Sequence, residues 1–547
     1  MGERGRVIRS STTSIAMPRM WVALAAILFL CGCAINFLTT PYQVNVFDEG
    51  LILTGALRVL AGEMPSADFY TNYGPAQFYL VAGFFDLFGR NLTVARAYDA
   101  LIAAAILPAA AGVLGNQALR WYGLASLGFI FVLVLLYRSP LYPITPCILL
   151  ILIGIGLTVS ALEDRAGALV YLWIGLVIAA LTCFRYDFML IGAAAFGTPI
   201  LLLLVFQVWS GAAALSASFS RGVEAAVLAG LPAALLLAVL YAVGILQPAL
   251  RDLLTYNAAN YVEMRNLPFP DLSAIRARPA EALAIYLPPM AGILGISTCC
   301  ILGRTAIDRS SRQFRQILIL TCVTLAFFSK GLVRTSGEHM LIADVPAALL
   351  VFFCLAGFES RFGPLIGRKA VTGVRVFCIV MTVAAIAYGL DDLARRDTLY
   401  RFIHVAPAHP DLPPMGLYAS DRERIEAARY VMSITGPNER LLSATGRHDK
   451  VFVNDVFFYF LTQRLPGTRW QQYDPGVQTS EEVQKQMAQD LEDNKVSVVV
   501  RDFRWDRIRE PNKSAESSGV TLLDDYIAQH YREDRRFGPI SVLRRVD

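Results

Sequence analysis

"FDEGLILTGALRVLAGEMPSADFYTNYGPAQFYL" occupies residues 47 to 80 and sets two adjacent carboxylates, Asp48 and Glu49, just after a long apolar run. The surrounding chain decides what such a pair is for. Of 547 residues, 55% are hydrophobic and only 17% charged, with a mean hydropathy of +0.49, whereas a soluble protein carries about 25% charged residues. This composition predicts an α-helical polytopic membrane protein. The net charge of +5 is scattered through short loops and balanced in the tail, so no nucleic-acid footprint is visible.

A bilayer-spanning helix needs about 20 apolar residues. Segments near 20–39, 93–115, 119–137, 142–162, 168–184, 188–209, 223–246, 281–302, 315–333, 339–359 and 371–390 meet that requirement, which predicts about eleven spans. "AQFYLVAGFFDLF" at 76–88 is too short, contains Asp86 and suits an interfacial helix. "LCGC" at 30–33 resembles a lipoprotein signal ending at Cys33, but the apolar run continues past it. With 76–88 not crossing, Arg4, Arg6, Arg9 and Arg19 share the cytoplasmic side with Arg304, Arg309, Arg312 and Arg315 and with Arg361, Arg368 and Lys369. Segments 40–92 and 247–280, the turn from Arg334 to Glu338 and everything after about 391 then face the opposite, outer side.

Residues 1–390 form the membrane module and 391–547 a separate domain, which holds 25 acidic and 23 basic residues. Ser420 with Glu423 and Thr479 with Glu482 read as capping boxes before helices, and "VSVVV" (496–500) and "ISVLRR" (540–545) as strands. The tail is thus an α/β domain. It has no Gly-rich phosphate loop, HExxH or GxSxG motif, no cysteine and hence no disulfide, and reads as a lid or docking domain without chemistry of its own.

Asp48 has two plain readings: solvated punctuation after a span, or the N-cap of a helix over 49–61 whose Leu51, Leu53, Leu57 and Leu60 share a face. The residues after that helix speak against both. An aromatic-rich turn, "DFYTNYGP" (68–75) with Asp68, Tyr70 and Tyr73, joins two amphipathic helices, and so elaborate a loop lying on a bilayer suggests a site. Lys330 is the first lysine in the chain and His339 the only histidine before residue 400; with Arg334 they bracket the turn "SKGLVRTSGEHM" (329–340). Boundary charges of this kind are functional or snorkelling anchors. Arg185 and Asp187, in "FRYDF", form a structural ion pair or another wall of the pocket, and Arg138 reads as an interfacial anchor. The loop 247–280, with Tyr256, Asn257 and Tyr261, is placed to cover a lipid entrance.

The run over 47–96, with Asp48, Gly74 and Pro75 before an interfacial helix, and the "LFG…R" ending at Leu87–Gly89 and Arg96, resembles the first outer loop of GT-C membrane glycosyltransferases. That superfamily includes the protein O-mannosyltransferases and the bacterial aminoarabinose transferases. The resemblance implies sugar transfer from a polyprenyl-phosphate donor, with Asp48 as the catalytic base or beside it; on the chemistry, Glu49 and Asp68 are the alternative bases, or orient the acceptor or a divalent cation. "NYGP" stands where the aminoarabinose enzymes carry Glu-Lys-Pro-Pro, so their acceptor does not transfer to this chain.

The residues alone point to the same chemistry. An acceptor hydroxyl attacking an anomeric carbon needs a carboxylate to take its proton, and cations to stabilise the departing phosphate. Asp48 supplies the first, and Lys330, Arg334, His339 and Arg185 the second, with Asp68, Tyr73 and Asp187 completing the substrate pocket. The expectation is a bacterial inner-membrane glycosyltransferase acting on a glycan, lipid or protein at the outer face. The alternatives are a flippase or transporter of lipid-linked saccharide, and a polymerase or ligase using a lipid pyrophosphate. Charged residues gathered at one rim favour a transferase; a charged path through both faces favours a transporter.

Overall fold

The structure, a computed structural model, describes residues 16–163, 167–211, 213–271, 273–303, 311–395 and 409–546. Arg4, Arg6, Arg9, Arg304 and Arg309, on which half of the charge asymmetry rests, lie outside these residues. Nine described helices are long and apolar enough to cross a membrane. Two further expected spans form the shorter apolar helices Trp121–Tyr137 and Leu169–Phe184. At two breaks between apolar runs a polar residue caps the helix that follows. Asn91 accepts from the Val94 N–H at 3.0 Å to start Leu92–Ala104, and Ser311 accepts from Phe314 at 3.2 Å to start Arg312–Gly331. Near the C-terminal end of the bundle, Gly367 at φ 81° separates the spans Gly337–Leu365 and Gly367–Ala394.

The helix Ala76–Phe88 has its expected bounds. It buries Phe78, Val81, Ala82 and Phe85 but exposes Tyr79, Leu80, Leu87 and Phe88, an apolar outer face suited to lipid. The preceding Gly74 donates its N–H to the Phe184 carbonyl at 2.9 Å, and a Cβ there would sit 2.3 Å from the Cys183 carbonyl oxygen. The Gly-Pro pair therefore fixes a backbone-to-backbone crossing.

The helix Asp48–Leu60 corrects the sequence reading twice. It does not lie on a bilayer surface, because every residue from Glu49 to Arg58 is buried. The C-terminal domain covers the face that hydropathy alone assigns to solvent or headgroups. Nor is Asp48 the N-cap: it is the first helical residue, and Asn45 Oδ1 caps the helix by accepting from the Phe47 and Asp48 N–H groups at 3.1 and 3.0 Å.

The C-terminal domain carries a four-stranded sheet of β1 (Leu441–Thr445), β2 (Val498–Asp502), β3 (Tyr531–Phe537) and β4 (Ile540–Arg545), in the order β1-β2-β4-β3. β1 and β2 are parallel and the other pairs antiparallel. The caps fall one residue later than expected. Asp421 accepts from Arg424 at 2.9 Å and Ser480 from Val483 at 3.4 Å, because Ser420 instead accepts from the Arg424 guanidinium and Thr479 from the Gly476 N–H.

This domain is welded onto the loop that bears Asp48. Phe457 N–H donates to the Val46 carbonyl at 2.9 Å, Thr54 Oγ1 donates to the Val456 carbonyl at 2.9 Å, and Tyr70 N–H donates to the Arg469 carbonyl at 3.0 Å. Phe85 stacks on Phe460 with centroids 5.5 Å apart. At the closest approach a Cβ on Gly50 would lie 2.4 Å from Phe457 N. Backbone cannot yield as a flexible side chain can, so Gly50→Val should destabilise the full-length protein by about 1–3 kcal/mol or more. The check is a fall in its unfolding midpoint in detergent, with Gly83→Val, where a Cβ meets nothing within 4 Å, as the matched control.

Candidate active site

Asp48 opens its helix at the wall of a cavity of about 470 Å³ between the membrane helices and the C-terminal domain. The carboxylate is half-buried, and its Oδ2 accepts from Asn45 Nδ2 at 2.8 Å. Burial raises its pKa above the ordinary value, against the opposing pull of the Asn45 hydrogen bond and the Arg265 and Arg334 charges. It is therefore a stronger proton acceptor than a solvated aspartate.

Asn72, Tyr73, Tyr142, Arg334 and His339 line both this cavity and a second one of about 280 Å³, whose other walls include Arg185, Asp187 and Lys330. The structure thus brings Asp48, Tyr73, Arg185, Asp187, Lys330, Arg334 and His339 around two adjoining cavities, from four separate stretches of chain. Arg185 donates to both Asp187 oxygens at 3.1 and 3.2 Å, and its guanidinium lies 5.5 Å from the Tyr73 ring centroid. Burial works against the Asp187 carboxylate, but Arg185 and Lys330 outweigh it and hold its pKa below the ordinary value. His339 Nδ1 lies 2.8 Å from Ser336 Oγ, with its ring edge-on to Tyr142.

Two predicted residues stand elsewhere. Glu49 is turned away from Asp48 and accepts from Arg96 at 2.9 and 2.7 Å, both side chains being almost wholly buried. Asp68 is exposed, accepts from the Met64 N–H at 2.7 Å and lines neither cavity. Arg138, expected as an anchor, forms a buried ion pair with Asp99, because the turn after Tyr137 folds inward. The loop 247–280 does cover the second cavity, through Leu253, Asn257 and Val262, while Tyr256 packs on Tyr70 and Trp470. The side chain of Tyr261 lies outside the described residues.

The tail also contributes to the walls of the site. Asp421, Arg424, Phe452, Gln472, Asp474 and Trp505 line the Asp48 cavity. Glu510 accepts from Arg334 at 2.9 and 2.5 Å and from Arg265 at 3.4 Å. Arg265 also holds its guanidinium 4.8 Å from the Phe452 ring centroid. Glu338, inside the 329–340 turn, lines the same cavity and a third one of about 660 Å³ on the far side of Asn45. Its place beside His339 was a local signal. For Asp474, Gln472 and Glu510 there was none, since long-range packing alone carries them to the site. Among the described residues no group of three or more His, Cys, Asp or Glu could hold a metal ion.

No protein-family model and no curated protein matches the sequence. Among solved structures the chain is similar to ArnT from Cupriavidus metallidurans bound to undecaprenyl phosphate, with 13% identity over 98% of this chain and 99% of that one, and a TM-score of 0.53. It is similar to the same protein in the apo state at 12% identity, over the same shares of the two chains, with a TM-score of 0.52. The chain therefore shares the overall fold of ArnT over nearly the whole length of both chains.

One ion pair at the joint titrates in an accessible range. Asp252 accepts from Arg469 Nη2 at 2.8 and 2.9 Å, and burial, outweighing Arg469, pushes it up to about 6 from 3.8. Its folded form holds the proton more tightly than the unfolded chain does. The stability it contributes is therefore full below about pH 4 and lost as pH rises through about 6. Asp252→Asn should flatten that decline, measured as unfolding midpoints of variant and parent from about pH 4 to about pH 7.

Proposed function

We propose that the protein is a glycosyltransferase that moves a sugar from a polyprenyl-phosphate donor to a hydroxyl of a glycan, lipid or protein at the outer face of a bacterial inner membrane. The observation that carries this reading is a pair of adjoining cavities with five wall residues in common, one lined by a proton-accepting carboxylate, Asp48, and the other by Arg185 and Lys330. The fold of ArnT, whose structure holds undecaprenyl phosphate, supports the choice of lipid. The charged groups of these cavities gather at one end of the bundle, which favours transfer over transport.

In the proposed reaction the donor phosphate lies against Arg185, Lys330 and Arg334, and the anomeric carbon points toward Asp48. The acceptor O–H attacks that carbon from the side opposite the phosphate, and its proton passes to Asp48. A new C–O bond forms as the bond to phosphate oxygen breaks, so the sugar is inverted and the lipid leaves as a phosphate with one more negative charge. The cations stabilise that added charge in the transition state. Arg334, already held by Glu510, is shared between the domain joint and the phosphate, while Lys330 acts as a point charge.

The test is transfer by purified protein from a panel of undecaprenyl-phosphate sugars, read as release of undecaprenyl phosphate. Asp48→Asn should lower turnover by about 10²–10⁴-fold without changing the unfolding midpoint, since Asn45 and not Asp48 caps the helix. In the parent, turnover should fall as pH drops, because the base works only when ionised. The midpoint should lie above the ordinary aspartate value, in line with the upward shift that burial imposes. Near-parental turnover in Asp48→Asn would remove it from the base role.

A further inference from the structure

Within the Asp48 cavity one wall is unlike the rest. Asp474 of the C-terminal domain is 1% exposed, and its Oδ2 accepts from Gln472 Nε2 at 2.8 Å and from Asn72 Nδ2 at 3.2 Å. The two amides come from opposite sides of the domain joint, and both line the cavity. A carboxylate accepts hydrogen bonds, so it draws the NH₂ end of each amide toward itself and turns each carbonyl the other way. This fixes the orientation of two groups whose oxygen and nitrogen ends are otherwise interchangeable.

Both carbonyls end without a partner. Gln472 Oε1 and Asn72 Oδ1 are buried and accept no hydrogen bond, in a residue 0% exposed in the case of Gln472. Leaving such an acceptor unsatisfied is costly, and here it happens twice, on two side chains clamped by one carboxylate at a cavity wall. Gln471 next to them is also buried and unsatisfied, but it lines neither the Asp48 cavity nor the cation-lined one.

Asn72 marks where this wall lies along the reaction path. It lines both the Asp48 cavity and the cation-lined one, so it stands between the proton acceptor and the phosphate site. In a displacement at the anomeric carbon, the group occupying that interval is the sugar being transferred. We infer that Gln472 and Asn72, oriented by Asp474, form a sugar-recognition site whose two carbonyl oxygens accept hydrogen bonds from hydroxyls of the donor sugar. The C-terminal domain thereby reads the sugar while the membrane helices hold the lipid phosphate. The inference rests on the lipid-phosphate-sugar reading of the same space. Asp474 is a positioning residue, and the two amides are the groups that touch substrate.

The experiment compares three ligands on full-length protein in detergent: undecaprenyl phosphate, undecaprenyl-phosphate glucose and undecaprenyl-phosphate mannose. Gln472→Leu should bind at least one sugar-bearing lipid about tenfold more weakly than the parent, the loss expected for one hydrogen bond, with affinity for bare undecaprenyl phosphate unchanged. Asp474→Asn should do the same, since an amide there no longer compels both neighbours to turn their carbonyls outward. Unchanged binding of the bare lipid shows that each variant is folded, a readout that a merely structural wall would not spare. Gln472→Met, closer in shape, serves if the leucine variant does not fold. Equal weakening of all three ligands, no weakening of any, or a parent to which the sugars add no affinity overturns the sugar site alone. A parent that binds none of the three overturns the lipid-phosphate reading, and this inference with it.

Discussion

Arg96 holds the loop that bears Asp48 in place. Its side chain is 0% exposed, and its donors go to both oxygens of Glu49, to the Gln43 carbonyl at 3.0 Å and to the Pro41 carbonyl, while its guanidinium lies 4.1 Å from the Tyr418 ring centroid. One buried cation thus fixes the exit of the first span, the start of the helix that presents Asp48 and one edge of the C-terminal domain. A charge so deeply buried is tolerated because its partners are complete, and removing one of them would cost about 3–5 kcal/mol. Of the two adjacent carboxylates, Glu49 is bound in this pair while Asp48, one residue earlier, faces the cavity.

The same division runs through the whole space. Charges that build the architecture are neutralised in place: Glu49 by Arg96, Asp99 by Arg138, Asp252 by Arg469 and Glu510 by Arg334 and Arg265. Asp48 is held only by an amide, Asn45, and Lys330 shares its cavity with the Arg185–Asp187 pair. Burial in a medium of low effective dielectric strengthens every remaining interaction with a ligand, and in the proposed reaction the carboxylate and the lysine act from two adjoining cavities.

How much the sequence reveals depends on how local each signal is. The membrane helices were legible because each is a continuous apolar run, and the helix Ala76–Phe88 because its run ends at a Gly that stops it short of a span. Asp48, Lys330, Arg334 and His339 were legible because charges beside apolar runs are rare. Glu49 looked equivalent to Asp48 because only the third dimension reveals that Arg96, far along the chain, claims one of the two. The helix Asp48–Leu60 was misplaced on the bilayer for a related reason: its apolar faces are genuine, but the surface covering them begins about 400 residues later, at Val456 and Phe457. Gln472, Asp474 and Glu510 carried no legible sign, as polar residues in a polar domain look alike until packing singles some out.

The weld between helix Asp48–Leu60 and the Phe457–Thr462 helix also has a consequence in time. Translation releases the membrane helices first and the sheet domain last, and domains generally fold in that order. Until Phe457 reaches Val46, Asp48 sits on a helix whose apolar side lacks its cover, and until Glu510 emerges Arg334 and Arg265 lack their shared partner. The cavity is therefore enclosed only once nearly the whole polypeptide has left the ribosome. A nascent chain of about 400 residues already possesses its membrane helices with Lys330 and Arg334, yet lacks the domain whose residues close the cavity beside Asp48.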